Sequence, residues 1–183
     1  MTRTLAVTQN ITLDGRIEML DDWFDPTTGS DDLVEESHRQ DAQADAVLLG
    51  RQTFTDFRGF WRDRVDDQTG VTDYLNRIDK YVVSATLTDP DWAGSTVVTG
   101  DVLAEVAALK EQPGDDIVVT GSIRLTHALL AAGLVDEVRL FVYPAVQGRG
   151  RLLFPDGFVA QGQRPLEARV FTGGVAFQRW ALR

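Results

Sequence analysis

Apolar positions along this chain fall in short runs separated by polar turns. Residues 5–11 are apolar and β-rich and read as a buried first strand. Thr12-Leu13-Asp14-Gly15-Arg16 follows as a turn, because Asp-Gly is a strong turn pair. Ser30 or Asp31 caps a helix with Glu35 and Glu36 in its first turns, running to about Gln43. Residues 46–49 are continuously apolar, as expected of a strand covered on both faces. Gly50 ends that strand and a helix restarts over residues 51–57. Residues 62–78 are charged and read as loop plus a short helix. Strands follow at 81–83, ended by Ser84-Ala85-Thr86, and at 96–99. Asp101 caps a helix to about Lys110, residues 117–120 form a strand, and a helix over 123–132 stops at Gly133. Residues 138–143 are a strand halted by Pro144. Residues 166–171 and 175–182, around Gly173-Gly174, have the form of a β-hairpin.

Strands and helices alternate through the middle and a hairpin closes the chain. That order predicts an α/β fold: a mostly parallel mixed sheet, helices on both faces, and antiparallel strands at one edge. No linker, repeat or low-complexity segment interrupts residues 1–183, so a single domain is expected.

Composition narrows the chemistry. With 18 Lys+Arg against 28 Asp+Glu, the net charge is −10. An acidic surface repels phosphodiester backbones, so nucleic acid is not an expected partner. The chain has no cysteine, which removes disulfides, iron–sulfur clusters and thiolate zinc sites. His38 and His127 lie far apart and nothing pairs them, so no metal is expected. No run approaches the roughly 20 apolar residues of a membrane span. The amino terminus has no secretory signal pattern, so the expected location is cytoplasmic.

Three strand exits carry residues suited to a phosphate. Leu49-Gly50-Arg51-Gln52-Thr53 places a glycine at the exit, then an arginine and a hydroxyl in the first turn of a helix. Ser84-Ala85-Thr86 offers small side chains and hydroxyls after a second strand. Thr120-Gly121-Ser122 offers close backbone approach and another helix start. Each alone also reads as plain turn chemistry. Three on one sheet, at the carboxyl ends where open α/β folds gather ligands, point to a phosphorylated cofactor.

Gly50-Arg51-Gln52-Thr53-Phe54 resembles the Gly-Arg-x-Thr-aromatic signature of dihydrofolate reductases and their relatives. Ile117 through Leu125 resembles their strand–Gly-Gly–helix loop, with Ser122 in place of the second glycine. Gly133-Leu134-Val135-Asp136-Glu137, then Pro144-Ala145-Val146-x-Gly148-x-Gly150 and Leu153-Phe154, resembles the reductase domain of riboflavin biosynthesis (RibD C-terminal type) and its stand-alone relatives. Ile11-Thr12-Leu13-Asp14-Gly15-Arg16-Ile17 is similar to the opening of that group. The resemblance implies a three-layer sandwich, NADPH as cofactor, a small heterocyclic substrate and a homodimer. It nominates Gly50, Arg51, Gln52, Thr53, Ser84, Ala85, Thr86, Gly121, Ser122, Ile123 and Arg124 for the cofactor.

The substrate end is less defined. Folate reductases place an acid on the first helix, and counting back from Gly50 puts that position near Val34, with Glu35 adjacent. Asp14 and Glu35 are the candidate catalytic acids. Asp14 reads equally as a turn residue, and Glu35 and Glu36 equally as surface acids. Asn10, Thr12, Trp23, Phe24, Phe57 and Trp61 are candidates to line a flat heterocycle, although the aromatic residues also suit a core. Arg58, Arg62 and Arg64 offer a phosphate pocket or simply a charged loop. The expected reaction is hydride transfer from NADPH to a pyrimidine- or pterin-like ring, for which the protein mainly positions reactants and excludes water. The alternative is a non-catalytic NADP(H)- or nucleotide-binding protein of the same fold.

Overall fold

A computed structural model describes residues 2–182. The chain runs β1 (Leu5–Thr12), α1 (Asp31–Asp41), β2 (Ala44–Gly50), α2 (Arg51–Trp61), α3 (Val71–Arg77), β3 (Asp79–Val83), β4 (Ser95–Val98), α4 (Val102–Glu111), β5 (Asp116–Val119), α5 (Ile123–Ala131), β6 (Glu137–Tyr143), β7 (Arg164–Val170) and β8 (Ala176–Ala181). The strands form an eight-stranded sheet in the order β4-β3-β2-β5-β1-β6-β8-β7. From β4 to β6 the pairings are parallel, and β8 joins β6 and β7 antiparallel. This is the α/β architecture expected from the sequence, with the terminal hairpin at one edge. No helix of the described residues is long and apolar enough to cross a membrane.

Alternation along the strands sorts side chains onto two faces. Leu5, Val7 and Ile11 of β1 pack with Val106 and Leu109 of α4 and Leu125 and Leu129 of α5. The opposite face carries two separate clusters. Val47 and Leu49 pack with Phe54 and Trp61 of α2 and Leu75 of α3. Phe141, Phe171, Val175 and Phe177 form the other, with Leu33 of α1 against it. Between them β1 presents Thr8 and Asn10, in register with Arg139 and Phe141 of β6. These short polar side chains do not fill the space between α1 and α2, and a cleft of about 1520 Å³ opens there.

Two local features differ from the sequence expectation. Helix α2 continues past Phe57 to Trp61. Phe54, Phe57 and Trp61 share one face at helical spacing and pack into the same cluster, which extends the helix. In α1, Glu36 is fully buried, not a surface acid. It accepts hydrogen bonds from Arg39 Nε (2.8 Å), Gln40 Nε2 (2.7 Å) and Arg169 of β7. Nearby, Glu137 accepts from Arg139 Nε (2.6 Å) and Arg179 Nε (2.8 Å), while Arg139 Nη2 donates to Asp116 (2.5 Å). A paired network of this kind fixes orientation, because removing one member strands the charge of another. It sets the roll of α1, and so decides which side chains face the cleft.

Candidate active site

The mouth of the cleft lies at the carboxyl ends of β2, β5 and β1. Gly50 leaves β2 with φ −73° and begins α2. Gly121 leaves β5 with φ +59°, followed by Ser122 at φ +39°. A Cβ on Gly121 would stand 2.8 Å from Thr53 Cγ2, so the β5–α5 turn and α2 touch through this glycine. Ser122 N–H donates to Thr53 Oγ1 (2.9 Å), and Gly50 N–H donates to Ser122 Oγ (2.9 Å). Gln9 Nε2 donates to Gly121 O (2.9 Å) from β1. The serine that replaces a second glycine therefore ties the two turns together. Its hydroxyl compensates for a backbone conformation that a serine adopts less readily than glycine.

Neither α2 nor α5 has a side chain capping its amino terminus. Their first N–H groups remain open donors at the positive end of the helix dipole. By contrast α4, whose Val102 and Leu103 also reach the cleft, is capped by Asp101 accepting from Ala104 N–H. Among the arginine side chains described, Arg51, Arg77, Arg124 and Arg164 alone make no hydrogen bond or ion pair with a neighbour. Two of these four, Arg51 and Arg124, line the cleft at the starts of α2 and α5. In a chain of net charge −10, unpaired cations at two helix starts could hold an anion. A dinucleotide's phosphates fit the site: the glycine admits close backbone approach, and donors and charge surround it.

The β3 exit contributes less than the sequence suggested. Ser84 is buried, and its hydroxyl accepts from Thr86 N–H (3.1 Å) and Leu87 N–H (2.9 Å). This serine builds a turn. Ala85 and Thr86 are exposed beside it, outside the cleft lining. Gly50, Arg51, Gln52, Thr53, Gly121, Ser122, Ile123 and Arg124 all line the cleft together.

At the substrate end, Asn10, Phe24, Phe57 and Trp61 line the cleft and Thr12 and Trp23 do not. Thr12 is buried and donates to Asp14 Oδ1 (2.6 Å). Trp23 stands behind the wall: its Nε1 donates to Gln147 Oε1 (2.8 Å), and its ring meets Tyr143 edge-on at 5.4 Å. Tyr143 itself lines the cleft against Phe24, at 5.5 Å, and burial pushes its hydroxyl up to about 12.

Neither nominated acid, Asp14 or Glu35, is among the residues that line the cleft. Asp14 lies outside the cleft lining and braces two loops. Its carboxylate accepts from Thr12 Oγ1, Gln147 N–H (3.1 Å) and Gly148 N–H (2.8 Å). Those donors, the Thr12 hydroxyl foremost, hold it well below the usual carboxylate range, which favours the ionised form. Glu35 is exposed on α1, outside the cleft lining, while Val34 lines the cleft. Adjacent helix positions lie about 100° apart, so Glu35 cannot substitute for a carboxyl at Val34. Arg58, Arg62 and Arg64 bind Pro90 O, Asp63 with Asp91, and Asp66, and none lines the cleft.

Sequence reasoning missed Gln9, Gln40, Asp41, Tyr74 and Tyr143. Val34, Ser37 and Asp41 recur at helical spacing along the cleft face of α1, a periodicity that was legible. Asp41 is half-buried, and burial raises its carboxyl to about 6. Tyr74 of α3 is raised too, first by burial and then by Asp41.

The family model for the RibD C-terminal domain matches residues 3–177. The uncharacterized protein YyaP of Bacillus subtilis (strain 168) is 32% identical over 181 residues, covering 94% of this chain and 92% of YyaP. YwjB of the same organism, also uncharacterized, is 28% identical over 147 residues, covering 79% and 78%. Among solved structures, a Shewanella sp. PV-4 protein named for riboflavin biosynthesis superposes with a TM-score of 0.73 at 18% identity, covering 100% of this chain and 99% of that one. The Thermotoga maritima diaminohydroxyphosphoribosylaminopyrimidine deaminase/5-amino-6-(5-phosphoribosylamino)uracil reductase superposes with a TM-score of 0.68 at 18% identity; the match covers 100% of this chain and 57% of that chain. At that identity the two structures establish the fold. Matched along nearly its whole length, the chain belongs to the RibD C-terminal domain family, whose reductase-like fold it shares.

Proposed function

We propose that this protein is an NADPH-dependent reductase of a small pyrimidine- or pterin-like heterocycle, related to the uracil reductase of riboflavin biosynthesis. The observation that carries this reading is the pair of uncapped helix starts, α2 and α5, each bearing an unpaired arginine at the cleft mouth. NADPH, when bound, supplies the hydride. The open N–H groups of α2 and α5 hold its phosphates, with Arg124 beside them. Arg51, unpaired at the start of α2, suits the 2′-phosphate that distinguishes NADPH from NADH. Phe24, Tyr143, Phe57 and Trp61 wall a flat ring and exclude water, and Asn10 gives it a polar contact from the floor. With Val34 apolar and Asp14 engaged in its loop, the accompanying proton comes from water.

The apolar Val34 and the engaged Asp14 also favour a second reading, a protein that binds NADPH without reducing anything. Titration of NADPH and NADH, followed by nicotinamide fluorescence, tests the cofactor assignment. The expected result is at least tenfold tighter binding of NADPH, a preference that Arg51→Ala removes. Binding of neither cofactor refutes both readings. Tight NADPH binding with no oxidation across a panel of pyrimidines and pterins selects the second.

A further inference from the structure

The cleft does not end at the aromatic wall. It continues across the sheet face toward the amino end of β2, where Asp41 and Tyr74 line it with Thr8, Gln40, Val71 and Leu75. Asp41 lies three residues before β2, and Gly50 is its last residue. The two ends of the cleft are therefore separated by about 20 Å, the length of that strand. A phosphate group held at the turns lies too far away to meet Asp41 or Tyr74.

Three observations characterise this far end. The Asp41 carboxyl and the Tyr74 hydroxyl make no hydrogen bond with any described residue. Both residues are half-buried and line the cleft, so a carboxylate acceptor and a phenol hydroxyl stand open to whatever enters it. No lysine or arginine lines this end, whereas Arg51 and Arg124 line the cleft at the starts of α2 and α5, and Arg151 lines it from the segment between β6 and β7. Charged groups do act on Asp41: His38 of its own helix and Arg77 of α3 favour its ionised form, and Tyr74 lies beside it. His38 Nε2 is occupied by Thr69 O at 2.8 Å, and Arg77 makes no ion pair with Asp41. Finally, Asp41 is the last residue of α1, where the helix dipole is negative and repels anions.

We propose that this end of the cleft is a substrate subsite in which Asp41, with Tyr74 and Thr8, receives a cationic or hydrogen-bond-donating arm, an amine or amidine, of the molecule to be reduced. A phosphate arm is disfavoured here by the carboxyl, the dipole and the lack of a lining cation. Between the two ends, Val34 on one side and Phe57 and Trp61 on the other supply apolar walls for the body of the substrate. This inference rests on the reductase reading for the identity of its ligand as substrate, but the subsite itself does not depend on that reading.

The probe is benzamidine, a flat ring bearing an amidinium, with benzoate as the anionic control, titrated calorimetrically into the full chain. Wild type is expected to bind benzamidine at least tenfold more tightly than benzoate. Asp41→Asn, which keeps shape and removes charge, is expected to weaken benzamidine at least tenfold, and Tyr74→Phe severalfold. NADPH affinity stays within twofold of wild type in both. Benzamidine that fails to bind, binds no better than benzoate, or is indifferent to Asp41→Asn overturns the proposal. So does NADPH affinity falling in step with benzamidine affinity, since the two ends are then one site. If wild type binds no NADPH while benzamidine binding still depends on Asp41, the reductase reading falls and the subsite stands.

Discussion

The two glycines at the cleft mouth respond differently to a methyl group, and that difference separates the needs of the fold from those of a ligand. At Gly121 the fold itself objects. Alanine at φ +59° costs about 1–2 kcal/mol, and its Cβ would press on Thr53 Cγ2 at 2.8 Å. Moving Thr53 weakens its bond from Ser122 N–H, a further loss of about 1 kcal/mol. Gly121→Ala is therefore expected to lose about 2–3 kcal/mol of stability. At Gly50 the backbone is extended at φ −73°, and an added Cβ meets only Ser122, at an ordinary 3.7 Å. The loss of glycine's unfolded-state entropy, about 0.4–1 kcal/mol in favour of alanine, roughly offsets alanine's poorer performance at a helix N-cap. Gly50→Ala is expected to fold within about 0.5 kcal/mol of wild type by urea denaturation. Its methyl group nevertheless projects toward Ser122, between the two helix starts where the phosphates would lie. NADPH binding is expected to weaken at least tenfold. A Gly50→Ala protein that binds NADPH like wild type would refute the assignment of the β2–α2 turn to the phosphates. One that unfolds as readily as Gly121→Ala would refute the steric reading of the turn.

Three further outcomes follow from side chains around the cleft. Glu36→Ala is expected to lose about 1–3 kcal/mol, because the buried Gln40 amide loses its acceptor while the part-exposed Arg39 and Arg169 keep Glu167 and solvent, and Glu35→Ala stays within about 0.5 kcal/mol; equal melting of the two variants contradicts the buried network. Lys80, fully buried, donates to Leu75 O (2.7 Å) and Ile78 O (2.8 Å) at the end of α3, so Lys80→Met is expected to lose about 2 kcal/mol in chemical denaturation, and no loss would mean those carbonyls find other donors. Asp41 has its carboxyl raised from 3.8 to about 6 in the fold, so the folded state holds the proton more tightly; this contribution is complete below about pH 4 and is lost as pH rises through about 6. Screening in the half-open cleft reduces the effect to about 1–2 kcal/mol, and Asp41→Asn is expected to flatten stability over that window; a variant with the wild-type slope assigns the titration elsewhere.

The two turns proposed to hold the phosphates were legible in the sequence because their chemistry is local. A strand, a glycine and a helix start are contiguous, and the backbone donors that matter need no distant partner. Gly50 to Thr53 and Gly121 to Arg124 could be nominated from adjacent residues, and the fold brings the two turns into contact. Even Ser122, an oddity in the sequence, acquires its reason only from Gly50, 72 residues away. The β3 exit looked equivalent in sequence, yet its serine closes a turn on itself; both uses require the same hydroxyl after a strand.

The substrate end was not legible, because it depends on how α1 is rolled against the sheet. Glu35 and Glu36 are chemically identical neighbours, and no local pattern tells which turns inward. That choice is made by Arg169, 133 residues away on a strand of the terminal hairpin, whose guanidinium meets Glu36 beneath the helix. Once Glu36 is fixed inward, Val34, Ser37 and Asp41 must face the cleft, since they lie along another stripe of the same helix. The carboxyl that serves this cleft is thus displaced two turns along α1 from the position near Val34 where a folate reductase carries its acid. On the function proposed above, a reductase built this way would meet its substrate's polar group far from the hydride. It would select for the length of the substrate as well as for the ring to be reduced.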